Sequence, residues 1–216
     1  MNKFKGLRQA SHFGPTLIVT AIAFVFGTYY WWEGPAYVIA FTVATGQLVV
    51  GWSNDLYDYK DDLAHSRTNK PLVSGLITQQ FLKGWLGFMV PFSFLANLFG
   101  PLGIKGGLVY MLGIACGVAY NFYFKFSVLS PLPYAIAFAA LPSSIAISKG
   151  ISPPLWMLLG GSIFGMAAHF INVIKDMEED QVSGIQGLPQ RLGTKRSVIV
   201  AITLIALGVL ALYLTM

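Results

Sequence analysis

Seven long apolar stretches dominate this 216-residue sequence and restrict it to few kinds of fold. Each is long enough to cross the hydrocarbon core of a bilayer, which is about 30 Å thick and needs roughly 20 helical residues. Hydrophobic residues make up 55% of the chain and charged residues only 11%, far below the quarter or so typical of soluble domains. The sequence therefore predicts an all-α, polytopic transmembrane helical bundle. Its predicted spans lie near residues 13–31, 36–53, 81–100, 105–124, 130–148, 153–172 and 197–215.

No low-complexity linker separates these spans, so we expect a single transmembrane domain over residues 1–216. The one cysteine, Cys116, lies inside an apolar stretch, where packing is its expected role. A lone cysteine excludes an internal disulfide and a cysteine-based metal site.

The positive charges indicate the orientation of the bundle, because Lys and Arg are retained on the cytoplasmic side. With a cytoplasmic N-terminus, twelve of the fourteen Lys and Arg residues lie inside, and only Lys105 and Lys149 lie outside. This orientation is the one we expect. The net charge of +5 then follows from the topology and from attraction to anionic lipid headgroups, and it does not indicate a nucleic-acid partner.

Eight of the nine carboxylates fall into two clusters, at residues 54–62 and 172–180, which we call the first and second Asp motifs. Both follow a span and are predicted to be cytoplasmic. They share the frame N-x3-D-x3-D at an offset of 118 residues, which pairs the second span with the sixth and indicates a four-helix unit used twice. The matching residues are Asn54, Asp58 and Asp62, followed by Asn172, Asp176 and Asp180.

Helical geometry places most of the acidic side chains of each motif on one face, although Glu178 of the second motif points away from Asp176 and Asp180. At about 100° per residue, Asn54, Asp55, Asp58, Asp61 and Asp62 project within an arc of roughly 120° if the second span continues through them. Crowded carboxylates repel one another, so a bound cation is expected, and oxygen ligands spaced four residues apart suit Mg²⁺. Either motif alone could be a set of solvated carboxylates. Their common register and common face favour a metal site instead.

Mg²⁺ held by carboxylates of two facing helices suits a polyphosphate substrate, whose oxygens the metal links to the protein. Arg67 and Lys70, five and eight residues after Asp62, are candidates to neutralise the remaining phosphate charge. Their alternative interpretation is as ordinary positive residues of a cytoplasmic loop.

These residues resemble the motifs of the UbiA superfamily of membrane prenyltransferases. The family's NDxxDxxxD motif is matched by Asn54, Asp55, Asp58 and Asp62, and its R-T-x-x-R/K-P-L-x-x-G stretch resembles Arg67 to Gly75. Its second motif, DxxxD, matches Asp176 and Asp180, and the Gly and Leu-Pro stretch that follows resembles residues 184–193.

The resemblance implies a helical bundle around a central cavity, with Mg²⁺ and an isoprenyl diphosphate bound between the two motifs. The catalytic residues that it implies are Asp58, Asp62, Asp176 and Asp180, and the metal ligands are these four with Asp55. The implied diphosphate-binding residues are Asn54, Asp55, Arg67, Lys70, Lys125 and Asn172.

The implied activity is transfer of a prenyl group to an aromatic or lipid acceptor within the membrane. The enzyme class is that of transferases of alkyl groups other than methyl. Charge on the departing pyrophosphate is neutralised, and an allylic carbocation remains for the acceptor to attack. A membrane terpene cyclase of the same superfamily is the alternative. An ion-coupled transporter is a more distant one, since its carboxylates should lie deep within the spans rather than at their cytoplasmic ends.

Four further residues are candidates to line an acceptor or prenyl pocket. Tyr120 and Tyr123, on an aromatic segment, could stabilise a carbocation or simply form an interfacial belt. His169 lies on the face of the second motif, one turn before Asn172, and is either functional or hydrogen-bonded within the bundle. Gln47 could contact an acceptor or form a helix-to-helix hydrogen bond.

The family usually has nine spans, whereas this chain has seven predicted spans. We therefore expect one of three arrangements, namely a truncated chain, a homo-oligomer, or a bundle that is open to lipid on one side.

Overall fold

The computed structural model describes residues 3–216, and its regular elements are all helical. Seven helices in this part of the chain are long and apolar enough to cross a membrane, which confirms the predicted multi-pass bundle. The elements are α1 (Lys3–Ala10), α2 (Phe13–Tyr30), α3 (Glu33–Ala64), α4 (Gln79–Phe99), α5 (Gly103–Phe122), a 3-10 turn (Phe124–Phe126), α6 (Pro131–Ser148), α7 (Leu155–Val182), α8 (Leu188–Leu192) and α9 (Thr194–Thr215).

The two helices that carry the Asp motifs are much longer than a membrane span requires. Helix α3 has 32 residues and α7 has 28, whereas roughly 20 suffice to cross the hydrocarbon core. Each helix continues without interruption through its motif and ends two residues beyond it. Both motifs are therefore held on rigid helix, at the end of the bundle that the sequence predicts to be cytoplasmic.

The spans pack mainly against their neighbours in sequence, from α2 to α7, and α7 then packs against α9. Additional contacts join α3 to α5 and α2 to α6, while the main partners of α7 are α6 and α9 rather than α3. Glycines allow the closest approach between α6 and α7. A Cβ added at Gly161 would lie 2.8 Å from the Cα of Ala139, and one at Gly165 would meet the carbonyl oxygen of Tyr134. Small residues of this kind let membrane helices pack backbone to backbone.

Polar side chains join the spans inside the bundle. On α4, the buried Asn97 donates to the carbonyl of Thr42 on α3 over 3.0 Å. On α5, the Tyr110 hydroxyl donates to the carbonyl of Val43 over 2.7 Å. Such bonds fix the rotation of each helix about its axis, because an unpaired polar group in an apolar bundle is unfavourable.

Helix α1, which the sequence analysis did not predict, lies against α3 and the loop that follows it. The Trp52 indole N–H donates to the carbonyl of Leu7 over 3.2 Å, and Gly6 faces the side chain of Ile77. The chain then turns at His12, whose φ of 49° is in the left-handed region, and enters α2. This packing brings the turn at His12 next to the first Asp motif.

Candidate functional site

The first Asp motif presents two deeply buried carboxylates. The side chains of Asp55 and Asp62 are each 3% exposed, whereas Asp58 is 21% exposed and Asp61 is 37% exposed. Burying a charged carboxylate is costly unless cations and hydrogen bonds compensate for the lost hydration. Basic side chains from neighbouring segments supply that compensation.

Two of these cations come from the segment that follows α3. Lys70 Nζ lies 3.3 Å from Asp55 Oδ1, and Arg67 Nη1 lies 2.8 Å from Asp62 Oδ1. The segment returns to the helix because its backbone is bonded there, with the Arg67 N–H donating to the carbonyl of Asp62 over 2.9 Å. Pro71, which directly follows Lys70, is buried and holds the segment in place beyond the two cations. The loop therefore delivers both cations to the motif that precedes it.

Both cations are held in their charged form by the carboxylates around them. Burial alone would lower the pKa of Lys70, but Asp55 and Asp62 outweigh it and raise that pKa above its ordinary value. For Arg67, burial likewise opposes the charge, and the hydrogen bond and charge of Asp62 raise the pKa nonetheless. Neither side chain can act as a base near neutral pH.

Arg67 also joins the two Asp motifs. Its Nη2 donates to the Ser183 hydroxyl and, over 3.3 Å, to the carbonyl of Glu179. Its Nε lies 4.0 Å from the Glu179 carboxylate. One guanidinium therefore contacts both the end of α3 and the end of α7.

Lys125 reaches the same site from a third direction. It lies on the 3-10 turn after α5, is only 5% exposed, and its Nζ forms an ion pair with Asp58 Oδ1. The Nζ also lies 5.0 Å from the centre of the Tyr57 ring, at a distance suitable for a cation–π contact. All three cations predicted from the sequence are thus next to the first Asp motif.

The second Asp motif is less buried. Asp180 Oδ2 accepts a hydrogen bond of 2.7 Å from Gln190 Nε2 on α8, while Asp176 is exposed. Asn172 donates to the Tyr134 hydroxyl over 3.4 Å, and Lys175 donates to Asn172 over the same distance. Gln190 was not predicted from the sequence, because α8 is a single short turn whose position depends on packing.

An aromatic cluster lies deeper in the bundle than the carboxylates. The His169 ring centre lies 5.4 Å from that of Tyr120 and 4.8 Å from that of Tyr134, and its Nε2 lies 3.0 Å from Ser130 Oγ. Tyr120 is within electrostatic range of Asp58 as well as of Asp176 and Asp180. The cluster therefore lies beneath both motifs. Tyr134 and Ser130 were missed because no motif marks them.

The two remaining pocket candidates lie elsewhere. Tyr123 is 67% exposed and packs against Phe124 rather than Tyr120, because α5 ends at Phe122 and the backbone then changes direction. Tyr123 therefore lies apart from Tyr120, and its exposed position at the end of α5 is compatible with the interfacial belt given as its alternative. Gln47 donates to the Tyr110 hydroxyl over 3.4 Å, which is the helix-to-helix hydrogen bond given as its alternative.

The donor set of the site suits a hard cation that arrives with a polyphosphate. Within residues 3–216, no three His, Cys, Asp or Glu side chains converge into a ready-made metal centre. Mg²⁺ seldom needs one, since it usually takes one or two carboxylates and completes its shell with phosphate oxygens and water. Asp55 Oδ2 is buried and has no hydrogen-bond partner within the protein, as expected of an oxygen that binds a ligand. The residues present therefore fit Mg²⁺.

Comparisons with known proteins identify the fold and the family of the chain. The fold matches a UbiA homolog from Archaeoglobus fulgidus bound to Cd²⁺ (TM-score 0.78, 17% identity) and a UbiA homolog from Archaeoglobus fulgidus bound to GPP and Mg²⁺ (TM-score 0.73, 17% identity). It also matches a digeranylgeranylglyceryl phosphate synthase (TM-score 0.69, 19% identity). Each match covers 98% of this chain and 76% of the other. No curated protein sequence matches. The model of the UbiA prenyltransferase family matches residues 15–216, and the chain therefore belongs to the UbiA prenyltransferase family.

Proposed function

We propose that this protein transfers a prenyl group from an isoprenyl diphosphate to an aromatic or lipid acceptor within the membrane, with Mg²⁺ as cofactor. One observation carries the proposal: Arg67 contacts both Asp motifs at a site that also holds Lys70 and Lys125. That combination of carboxylates and cations suits a metal-bound diphosphate better than any uncharged ligand. The GPP and Mg²⁺ bound by a structural relative support the same substrate class.

The carboxylates of the two motifs would hold the metal. Bound Mg²⁺ would neutralise charge on the diphosphate and make it a better leaving group. The candidate ligands are Asp55, Asp58, Asp62, Asp176 and Asp180, with Asn54 and Asn172 next to them on the same helices.

Arg67, Lys70 and Lys125 would donate hydrogen bonds to the diphosphate oxygens. Charge accumulates on these oxygens as the allylic C–O bond breaks, so donors aimed at them stabilise the transition state more than the ground state. Carboxylates raise the pKa of Arg67 and of Lys70, so both side chains stay charged throughout the reaction. Arginine is suited to two phosphate oxygens at once, and lysine to one.

The aromatic cluster beneath the motifs would protect the allylic carbocation. Tyr120 and Tyr134 present π-systems near the place where the cation forms, and they exclude water from it. His169 completes this wall and contacts Ser130, which fixes the orientation of its ring. The acceptor would attack from the membrane side, where lipid-soluble molecules enter.

A direct assay tests the proposal. Purified protein in lipid nanodiscs is incubated with radiolabelled geranyl diphosphate, Mg²⁺ and an extract of the host's lipids and quinones. We expect a prenylated lipid-soluble product, no turnover in excess EDTA, and recovery when Mg²⁺ is restored.

The same assay without an acceptor separates the two enzyme classes. A transferase should release little product, whereas a cyclase should release cyclic hydrocarbon or alcohol. Full turnover in chelator, or no consumption of any prenyl diphosphate, would refute the proposed function.

A further inference from the structure

The connection between α1 and α2 has a backbone conformation that residues other than glycine seldom adopt. His12 has a φ of 49° and a ψ of 59°, in the left-handed region that suits glycine and is uncommon for a bulky side chain. Its side chain does not cap the helix that follows it. Backbone strain of this kind persists only where the surroundings fix it, and it is often found at functional sites.

Helix α3 supplies those surroundings. Gly51 packs against the backbone of Ser11, and a Cβ added at Gly51 would lie 2.8 Å from the Ser11 carbonyl oxygen. Thr16 Oγ1 also donates to that carbonyl over 2.7 Å. Together with the bond from Trp52 to Leu7, these contacts hold the connection one helical turn before Asp55.

His12 is thereby aimed at a single oxygen of the first Asp motif. Its Nε2 lies 3.2 Å from Asp55 Oδ1, and Lys70 Nζ lies 3.3 Å from the same oxygen. A carboxylate oxygen only accepts, so Nε2 carries the proton and donates it. The other oxygen, Oδ2, is buried and without a hydrogen-bond partner. The carboxylate is therefore hydrogen-bonded through Oδ1 and unpaired at Oδ2.

We propose that His12 is a positioning residue for the metal site: with Lys70 it fixes Asp55 through Oδ1 and leaves Oδ2 as the oxygen offered to a divalent cation. The inference rests on the proposed function. Hydrogen-bond partners of metal-ligating carboxylates orient the ligand, and their loss typically costs about 10- to 100-fold in metal affinity or activity. Lys70 alone would leave the carboxylate free to rotate about one contact.

The test measures binding of Mn²⁺ with inorganic pyrophosphate, by the electron paramagnetic resonance signal of free Mn²⁺, so it needs no turnover. In His12→Gly the imidazole is removed while the left-handed backbone conformation is kept, and the relief of backbone strain offsets part of the lost contact with Asp55, so the protein should stay folded. Its Mn²⁺ affinity should nevertheless fall about tenfold. In His12→Gln an N–H donor is kept, and the affinity should return to within about threefold of wild type.

His65→Ala is the matched control. His65 is also a histidine paired with a carboxylate of α3, since its Nδ1 lies 3.2 Å from Asp61 Oδ1, but it does not contact Asp55. Its loss should leave Mn²⁺ binding unchanged. Wild-type affinity in His12→Gly, or equal losses in His12→Gly and His12→Gln, would overturn the inference alone. A wild-type protein that bound no Mn²⁺ with pyrophosphate would overturn the proposed function as well.

Discussion

Arg67 and Ser183 are 116 residues apart in the chain, yet a hydrogen bond joins the Arg67 guanidinium to the Ser183 hydroxyl. Because the same guanidinium also pairs with Asp62, it couples the ends of α3 and α7. The two helices pack mainly against other helices, so few other contacts set the distance between the Asp motifs and the Arg67 contacts help to fix it.

Arg67→Lys should therefore lower activity although it preserves the charge. A lysine can contact Asp62 or α7 but cannot bridge both with a planar fork of donors. We expect a loss of at least about tenfold in the initial rate of pyrophosphate release from a prenyl diphosphate. Lys60→Ala, at an exposed position of α3, should have no such effect. Wild-type rates in Arg67→Lys would show that the bridge is not needed.

Lys125→Met should lower turnover by about 10²-fold, the usual loss when one donor to a developing anion is removed. Methionine is similar in length to lysine, so the packing around the 3-10 turn should be retained. Lys125→Arg should recover part of the lost rate, which single-turnover kinetics would measure. A loss confined to KM would contradict a role in the chemical step.

The raised pKa of Lys70 predicts a specific pH dependence of stability. A base whose pKa is higher in the folded state than in the unfolded state stabilises the fold fully below the unfolded pKa, about 10.4 for lysine. That contribution disappears as the pH rises through the folded pKa. The difference in unfolding temperature between wild type and Lys70→Met should therefore stay constant from about pH 7 to pH 9.5 and shrink only above that range. A difference that shrank near pH 8 would contradict the raised pKa.

Orientation in the membrane can be tested by cysteine labelling in a Cys116→Ser background. The distribution of Lys and Arg predicts that Thr68 is cytoplasmic and that Ile151, in the connection between α6 and α7, is outside. Both side chains are exposed. An impermeant maleimide added to intact cells should therefore label Ile151→Cys and not Thr68→Cys. The opposite pattern would refute the orientation.

The seven spans and the helical Asp motifs could be predicted from the sequence because both depend on local properties. The length of an apolar stretch identifies a membrane span, and a spacing of four residues places Asp58 and Asp62 on one helical face. Lys70 was predicted correctly to lie near the motif, because only a short connection separates it from α3.

The partners of those carboxylates could not be predicted, since tertiary packing sets them. His12 meets Asp55 across 43 residues, through a left-handed turn that no sequence signal indicates. Tyr134 approaches His169 because glycines let α6 and α7 pack closely. The separation of Tyr123 from Tyr120 could not be predicted, because it depends on where α5 ends, and helix ends are the least predictable part of a helix.

The central claim is that the two Asp motifs form one site for one diphosphate. Asp58→Asn and Asp176→Asn, measured singly and together for kcat on a prenyl diphosphate with Mg²⁺, test it most directly. If the motifs act as a unit, each single variant should lose activity by orders of magnitude, and the double variant should be scarcely slower than either one. All three proteins should stay folded, because asparagine matches aspartate in size and still offers Lys125 an oxygen acceptor at position 58, while Asp176 is exposed. A double variant whose loss equals the product of the single losses, or a largely active Asp176→Asn, would contradict the account.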